Sequence, residues 1–498
     1  MKRRMRAGAH VLGTAAIAGL LLIAGCGADE EPRQGAPSGS SAAVRLPPYV
    51  IKWYLPGHPQ ADGRRVLDEM NRILRTKINA TVDLTWIDEA HYADELEAVL
   101  ASGAKADLVF LSYRKDDFAA HARAGELRDL TNLLSRYGSG IREQVPDYAW
   151  DAARVDGRLY GIVNVQLWTK KPAIRVSREM ADMFDLQALN IRDLGDLTPF
   201  LDKAMSYEGA QKFGFRADAS ADYPSAYEAA LGIESLGEGN PAVATEEDGR
   251  LRAVNLYGQP SYVRYLQLMH EWYDKGWIRK DAPTIVDDAA DVAADRYIAT
   301  PASDWSDDAD SRYVIQPIAG PAKIGNESIG SSLTAIPQSS ADPARALMLC
   351  NLLYSDPQLY SLMSYGIEGV HYNLVDGDYA EPIADSGYHA DAGWRFGNPF
   401  RALPRAHREK AWLQAGPARN AEAPRSPLLG FHFDPSDVRE ELARCASVMG
   451  KHRAGLVTGA VDPDEALPAL NRELRQAGID RLIAEAQRQL DQWAASRA

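Results

Sequence analysis

Aromatic side chains beside polar loop residues are the feature of this sequence that could do chemistry. Trp168 ends the run GIVNVQLW, Trp305 lies in PASDWSDD, Trp394 lies in GWRFGN and Tyr223 lies in DYPSAY. An indole or phenol ring can stack on the apolar face of a sugar, while nearby amides, carboxylates and guanidinium groups form hydrogen bonds with its hydroxyls. The pattern favours carbohydrate binding. Packing in a core is the alternative for each ring, and it is the favoured interpretation for Trp53 and Trp168, which lie inside strand-like runs.

Sequence motifs of covalent or metal-dependent catalysis do not occur. The chain lacks GxSxG, GxxxxGKS/T, HExxH and a GxGxxG after a predicted strand, and its ten histidines show no metal-ligand spacing. We therefore expect no enzymatic activity, no cofactor and no metal site. Cys350 and Cys445 are predicted to be buried free thiols, with a disulfide between them as the alternative.

Carboxylates are abundant enough that a carbohydrate-active enzyme and a calcium site are alternatives to be considered. The 69 acidic residues will place some pair near any cleft, so a surface-tethered carbohydrate-active enzyme is an alternative to a binding protein. Residues 287–295 and 304–310 are the densest acidic clusters. They lack the ligand order of an EF-hand, and we interpret them as solvated loop residues, with an opportunistic calcium site as the alternative.

The first 25 residues have the layout of an export signal. MKRRMR is basic, residues 11–23 are apolar, and Ala24 and Gly25 are small. The apolar stretch is shorter than the roughly 20 residues that a membrane-spanning helix needs, so a signal peptide is favoured over an uncleaved membrane anchor. The tetrad that ends at Cys26 resembles the bacterial lipobox, which implies lipidation of Cys26 and stable anchoring.

Residues 26–48 are predicted to tether this cysteine to a folded body. Small residues, Pro, Gly and Ser dominate 27–46, a composition typical of flexible linkers. The formal net charge of the chain is −14, and about −18 without the four basic residues of the signal. That charge disfavours nucleic acid and anionic lipid surfaces as partners.

An alternation of strands and helices follows the tether. Residues 49–55, 80–87 and 106–113 are predicted strands with helices between them, an order that favours a parallel sheet with crossover helices. A strand-like run at 157–168 leads into a second α/β region, and about 450 residues are too many for one core. The remaining predicted elements are helices at 178–189, 193–207 and 260–275, a strand at 311–318, a helix opened by Asp342 and Pro343, and C-terminal helices at 436–449, 464–477 and 480–496.

Several stretches resemble one known family. YGIEGVHY at 365–372 is similar to the extracellular solute-binding lipoproteins of bacterial ABC sugar importers, of the family 1 type and the LipO/LplA-like subgroup. Further matching stretches are DGRLYGIVNVQLW (156–168), WRFGNPF (394–400), GFHFDPSDV (430–438) and the helix-forming segment 470–493. The resemblance covers nearly all of the chain after the tether.

This resemblance implies an α/β fold of two lobes, like the periplasmic-binding proteins of type II and of the maltodextrin-binder type, joined by hinge strands. The ligand then lies between the lobes, beyond the carboxyl ends of the parallel strands, and the lobes close on it. The expected first lobe is 49–165 with 285–340, and the expected second lobe is 166–284 with 341–430. Residues 431–498 are expected to form C-terminal helices packed on the second lobe.

The resemblance also implies candidate ligand-binding residues. They come from the loops after the first and third strands, from the first crossover, from two loops of the second lobe and from the subgroup signature at 394–400. At the first crossover some family members carry an acid where this chain has Gln166. The candidates are His58, Asp62, Ser112, Tyr113, Asp116, Gln166, Tyr223, Trp305, Trp394, Arg395 and Asn398.

The function that the resemblance implies is capture and delivery without catalysis. A monomer, lipid-anchored at the outer face of the cytoplasmic membrane as in Gram-positive bacteria, would bind an oligosaccharide and pass it to the permease subunits of an ABC transporter. A surface-tethered carbohydrate-active enzyme and a binder of peptides or other non-sugar solutes are the alternatives.

Overall fold

The computed structural model describes residues 46–497 apart from ten short gaps. The gaps are 104, 114–116, 209–211, 218, 220–226, 286, 305–311, 319–322, 391 and 406. The predicted lipidation at Cys26 and the candidates Asp116, Tyr223 and Trp305 lie outside the described residues. In the part of the chain that is described, no helix has the length and apolar character needed to cross a bilayer.

The described strands run in chain order from the end of the tether to residue 382. They are β1 (Tyr49–Pro56), β2 (Ala80–Ile87), β3 (Leu108–Leu111), β4 (Arg154–Val155), β5 (Arg158–Leu159), β6 (Gly161–Val163), β7 (Pro172–Ser177), β8 (Phe213–Phe215), β9 (Ile233–Ser235), β10 (Ala242–Glu247), β11 (Arg250–Asn255), β12 (Tyr297–Ser303), β13 (Tyr313–Pro317), β14 (Leu333–Ala335), β15 (Tyr372–Val375) and β16 (Tyr379–Pro382).

The described α-helices connect these strands and form the C-terminal segment. They are α1 (Gly63–Ile78), α2 (Tyr92–Ala101), α3 (Phe118–Arg123), α4 (Thr131–Tyr137), α5 (Ser139–Gln144), α6 (Arg178–Met183), α7 (Thr198–Glu208), α8 (Pro260–Asp274), α9 (Ala289–Ala293), α10 (Asn326–Gly330), α11 (Pro343–Ser355), α12 (Pro357–Tyr365), α13 (His407–Glu422), α14 (Arg439–Val457), α15 (Pro463–Ala477) and α16 (Ile479–Arg497).

The first sheet has the strand order β2-β1-β3-β14-β6. β1 is parallel to both β2 and β3, as the alternation of strands and helices predicts, whereas β14 is antiparallel to β3 and β6. All four residues of β3 are buried, which explains its unbroken run of apolar side chains. Since β1, β2 and β3 are parallel, the loops that follow them lie at one edge of the sheet.

Two further sheets belong to the middle of the chain. One has the order β13-β7-β12-β8, in which β7 pairs antiparallel with both of its neighbours. The other is the antiparallel order β11-β10-β9. The C-terminal helix α16 packs against β11 of the second of these sheets.

Two hydrophobic cores divide the described chain into two lobes. The first core takes side chains from 51–168, 324–363, 388–396 and Leu429, and the second takes side chains from 174–318 and 428–490. The chain therefore crosses between the lobes in three places, at 168–174, at 318–324 and near 423–431. The helices α14, α15 and α16 contribute to the second core, where sequence analysis also placed the C-terminal helices.

The lobe boundaries differ from the predicted ones in the region 285–430. β12 and β13 pair with β7 in the sheet of the second lobe, although 285–340 was expected in the first lobe. α11 and α12 were expected in the second lobe, but Leu347 and Leu359 on these helices are fully buried in the first core. The reason is tertiary: α11 packs against α4 and α5, which lie far away in the sequence.

A buried arginine, Arg345, connects backbone segments at the amino end of the first lobe by hydrogen bonds. Asp342 caps α11 by accepting a hydrogen bond from the backbone N–H of Arg345, and Pro343 lies in the first turn, as predicted. The side chain of Arg345 is 1% exposed, and its Nη1 donates to the carbonyls of Pro47 (3.1 Å), Ile78 (2.7 Å) and Asn79 (2.9 Å). It thus joins the first residues of the folded body to the end of α1.

Candidate functional site

A cavity of about 580 Å³ lies where the three crossings meet. Both lobes and the crossing segments contribute to its wall, and the wall combines aromatic, amide, hydroxyl, carboxylate and ammonium groups. The lining residues are Tyr113, Gln166, Leu167, Trp168, Lys170, Pro172, Glu228, Ala229, Ala230, Gly232, Ile233, Glu234, Ser235, Lys323, Gly325, Asn326, Glu327, Ser328, Ser331, Ser426, Leu428 and Phe431. Its volume falls within the range of small-molecule sites.

Side-chain amides fix the first crossing segment at the cavity wall. The Nδ2 of Asn420 donates to the carbonyl of Gln166 (2.6 Å), and its Oδ1 accepts from the backbone N–H of Trp168 (2.9 Å). The Nδ2 of Asn164 donates to the carbonyl of Arg395 at 2.9 Å. Because residues 164–171 belong to no described strand, these amides supply the hydrogen bonds that a neighbouring strand would otherwise give.

Trp168 forms part of this wall while being almost fully enclosed. Its side chain is 3% exposed, and the ring of Tyr148 meets it edge-on with a centroid distance of 6.1 Å. The indole N–H of Trp168 has no hydrogen-bond partner among the described residues. Sequence analysis favoured a core position for this tryptophan; the structure makes it both buried and cavity-lining.

Carboxylates from both lobes face the cavity. Burial raises the pKa of Glu234 on β9, and the hydroxyl of Ser426, which donates to its Oε2, opposes that shift. Across the cavity, burial and then the charge of Glu327 raise the pKa of Tyr113. The phenol of Tyr113 therefore stays protonated at neutral pH and can donate a hydrogen bond.

Two of the residues predicted from the sequence line the cavity. Tyr113 follows β3 at the carboxyl edge of the first sheet, and Gln166 lies two residues before the first crossing. Ser112, immediately before Tyr113, is 8% exposed and is not a lining residue.

The predicted residues of the loop after β1 lie outside the described lining. The side chain of His58 is 71% exposed, and its Nδ1 lies 3.5 Å from the Oδ2 of Asp88. Asp62 instead holds another loop, because its Oδ2 accepts a hydrogen bond from the Nε2 of His371 (3.1 Å) and its backbone N–H donates to the carbonyl of Gly387 (2.8 Å). The buried His371 belongs to the stretch YGIEGVHY, which explains one structural use of that motif.

The predicted residues of the 394–400 stretch lie beside the cavity and do not line it. Trp394 is 39% exposed, its carbonyl accepts a hydrogen bond from the Nε2 of Gln166 (2.9 Å), and the guanidinium carbon of Arg395 lies 4.3 Å from the centroid of its ring. Arg395 also forms an ion pair with Glu89. Asn398 is 6% exposed and donates to the side chain of Gln144 (3.0 Å), so it has a packing role here.

Glu234, Ser426 and Lys170 line the cavity although sequence analysis missed them. Glu234 is the middle residue of a strand of three residues, between Gly232 and Gly237. A charged side chain in a very short strand between glycines was the only local signal of a site there. Ser426 lies on the third crossing, whose position depends on how the two cores pack.

Comparison with known proteins identifies relatives with this architecture. Residues 427–495 match a family model described as a domain of unknown function, DUF3502. A carbohydrate ABC transporter substrate-binding protein of Streptococcus pneumoniae is 24% identical over 463 residues, which are 89% of this chain and 91% of the relative. The polygalacturonan/rhamnogalacturonan-binding protein YtcQ of Bacillus subtilis is 25% identical over 376 residues, which are 71% of each chain.

Solved structures with the same fold are also solute-binding proteins. The N-glycan transport solute-binding protein NgtS of Streptococcus pneumoniae superposes with a TM-score of 0.79 at 23% identity, covering 90% of this chain and 100% of NgtS. The alginate-binding protein AlgQ2 gives a TM-score of 0.60 at 15% identity, covering 90% of this chain and 98% of AlgQ2. The predicted two-lobe fold and the predicted resemblance to solute-binding proteins of ABC sugar importers are confirmed.

Proposed function

We propose that this chain is an extracellular solute-binding protein that captures an oligosaccharide between its lobes and delivers it to the permease of an ABC transporter. The observation that carries the proposal is the cavity of about 580 Å³ at the lobe junction. It combines aromatic rings with many hydrogen-bonding side chains, which is the composition that a sugar requires.

The lining supplies both kinds of sugar contact. The rings of Tyr113, Trp168 and Phe431 offer apolar surface, and the side chain of Gln166 offers an amide group. A sugar hydroxyl can donate to a carboxylate and accept from an amide or a phenol at the same time. Hydroxyl-rich ligands therefore satisfy this wall better than apolar ones.

The three crossings make lobe closure the expected response to a ligand. Residues from both lobes line the cavity, so a ligand that contacts both favours the closed arrangement over an open one. A permease can then distinguish a loaded carrier from an empty one by its shape. We propose that the carrier acts as a monomer and without turnover of the glycan.

The membrane attachment is a separate part of the proposal. Cys26 in its lipobox-like tetrad would carry the lipid, and residues 27–46 would act as the tether, which places the folded body at the outer face of the cytoplasmic membrane. Metabolic labelling with a radioactive fatty acid tests this point, because labelling should disappear in Cys26→Ala.

Binding is tested with residues 27–498, which lack the signal and the lipidated cysteine. Isothermal titration should show saturable binding of at least one oligosaccharide from a panel of mannose–N-acetylglucosamine, fructose and galactose oligomers, with no new reducing ends after prolonged incubation. Release of reducing ends would favour the enzyme. Binding of peptides, with no glycan bound, would favour the non-sugar binder and overturn the proposal.

A further inference from the structure

We infer that the cavity selects glycans without carboxylate groups and discriminates against uronate-containing chains, an inference that rests on the proposed carbohydrate-binding function. It concerns the charge of the ligand, whereas the proposed function concerns only its chemical class.

Acidic groups enter the cavity from both lobes. Glu228 and Glu234 come from the second lobe and Glu327 comes from α10 of the first. Burial raises the pKa of Glu234, which means that its surroundings already disfavour negative charge. A uronate placed among these groups would lose its hydration and face like charges at close range.

The lining offers a uronate poor compensation. No arginine occurs among the described lining residues, so the bidentate contact that proteins commonly use for carboxylates has no donor there. The ammonium of Lys323 lies 3.8 Å from the carboxylate of Glu246, which competes for its charge. Burial lowers the pKa of Lys170, because its position in the wall removes part of the hydration of the ammonium.

An uncharged sugar meets none of these difficulties. Its hydroxyls can donate to the carboxylate oxygens of Glu234 and Glu327, and its ring oxygens can accept from the phenol of Tyr113. The hydroxyl of Ser426 already donates to Glu234, which leaves the second oxygen of that carboxylate for a ligand. The acidic side chains therefore act as hydroxyl acceptors for neutral sugars and as a barrier to anionic ones.

The experiment compares three forms of one glycan on the same protein. The neutral oligosaccharide that binds in titration is oxidised at its primary alcohols to the uronate, and a portion is converted to the uncharged uronamide. At pH 7 and low salt we expect the uronate to bind about tenfold more weakly or worse, which corresponds to about 1.4 kcal/mol, and the uronamide to recover part of the loss. High salt should narrow the difference.

A variant identifies the groups responsible. In the double variant Glu234→Gln/Glu327→Gln, two uncharged amides replace two carboxylates of similar size, which removes the repulsion of the uronate. The dissociation constant of the uronate divided by that of the neutral glycan should therefore fall by about tenfold or more. Glu247→Gln is the matched control, since Glu247 is exposed on β10 and does not line the cavity; its ratio should equal that of the wild type.

Each outcome is informative. A uronate that binds as tightly as its neutral parent, or an unchanged ratio in the double variant, would overturn the inference while leaving the proposed function in place. Failure of every glycan to bind would overturn the proposed function itself. If the double variant does not fold, as judged by thermal melting, the comparison of the three glycans on the wild-type protein decides the question.

Discussion

Trp168, at the end of a strand-like run, is 3% exposed, whereas Trp394, in a polar loop sequence, is 39% exposed. A tryptophan side chain can stack on a sugar, so the residue type predicts a possible ligand. How far each indole is buried depends on which part of a lobe packs over it. Tyr113 and Gln166 were candidates because the family resemblance implies ligand contacts after the third strand and at the first crossover, and both line the cavity. Glu234 was not a candidate, because a charged residue in a short strand between glycines does not by itself indicate which wall of a cavity it joins.

Trp394→Ala should weaken binding of the oligosaccharide by about 1–3 kcal/mol, the scale of one buried aromatic contact. The backbone carbonyl of Trp394 accepts a hydrogen bond from the cavity-lining Gln166, and we expect the exposed ring to contact a ligand that extends out of the cavity. Because the side chain is 39% exposed, the melting temperature should change little. Titration of the soluble chain measures the affinity.

Trp394→Phe is the control for this substitution, since it keeps a flat ring and should retain most of the affinity. A large fall in melting temperature with unchanged affinity would mean that Trp394 stabilises the first lobe and has no part in binding.

His432 should make the free energy of unfolding depend on pH below 6.5. The ring is 8% exposed beside Tyr113 and Phe118, and burial, followed by the charge of Arg123, lowers its pKa from 6.5 to about 4. The unfolded chain therefore binds a proton at a higher pH than the folded chain. Stability is lost as the pH falls from 6.5 to 4, by up to about 3 kcal/mol from this group.

Urea denaturation at several pH values tests the effect of His432. In His432→Phe, which keeps an aromatic ring and removes the titrating group, the curve of stability against pH should be shallower between 6.5 and 4. Parallel curves for the wild type and the variant would contradict the assignment to this residue.

At the scale of elements, the strands and helices of the first lobe were the most predictable part. β1 and β2 match the predicted strands to within one residue, because their apolar side chains alternate and turn residues end them. The run 157–168 was less predictable: only Arg158–Leu159 and Gly161–Val163 are strands. The rest of that run leads to the crossing at 168–174, and side-chain amides replace the strand pairing that the pattern suggested.

Asn420→Ala should lower stability by about 1–3 kcal/mol and weaken ligand binding. The substitution leaves the buried backbone N–H of Trp168 and the carbonyl of Gln166 without their partner. Both residues line the cavity, so the wall should lose its fixed position. The midpoint of urea denaturation and titration with the oligosaccharide measure the two effects.

Asn373→Ala provides the comparison for Asn420→Ala, because Asn373 is exposed on β15, in the first lobe's peripheral hairpin. It should leave both the midpoint and the affinity unchanged. Equal effects of the two substitutions would show that the amide of Asn420 has no special role at the crossing.

At the scale of the whole molecule, two lobes were predictable but their composition was not. Chain length and the family resemblance implied two cores, yet the segments 285–318 and 341–402 belong to the opposite lobes from those expected. Strand order in a sheet and helix packing depend on contacts between distant residues. A pattern of local periodicities carries no information about which of two cores an α/β segment joins.

The hydrogen bond from Arg345 to the carbonyl of Pro47 has a mechanical consequence. In the proposed tethered form, tension would enter the folded body beside the start of β1, which pairs with β2 on one side and β3 on the other. A pull in line with β1 loads these bonds in shear, all at once, and does not peel them apart one by one. The cavity lies towards the opposite edge of the sheet, where Tyr113 follows β3, so such a pull acts first on residues far from the cavity.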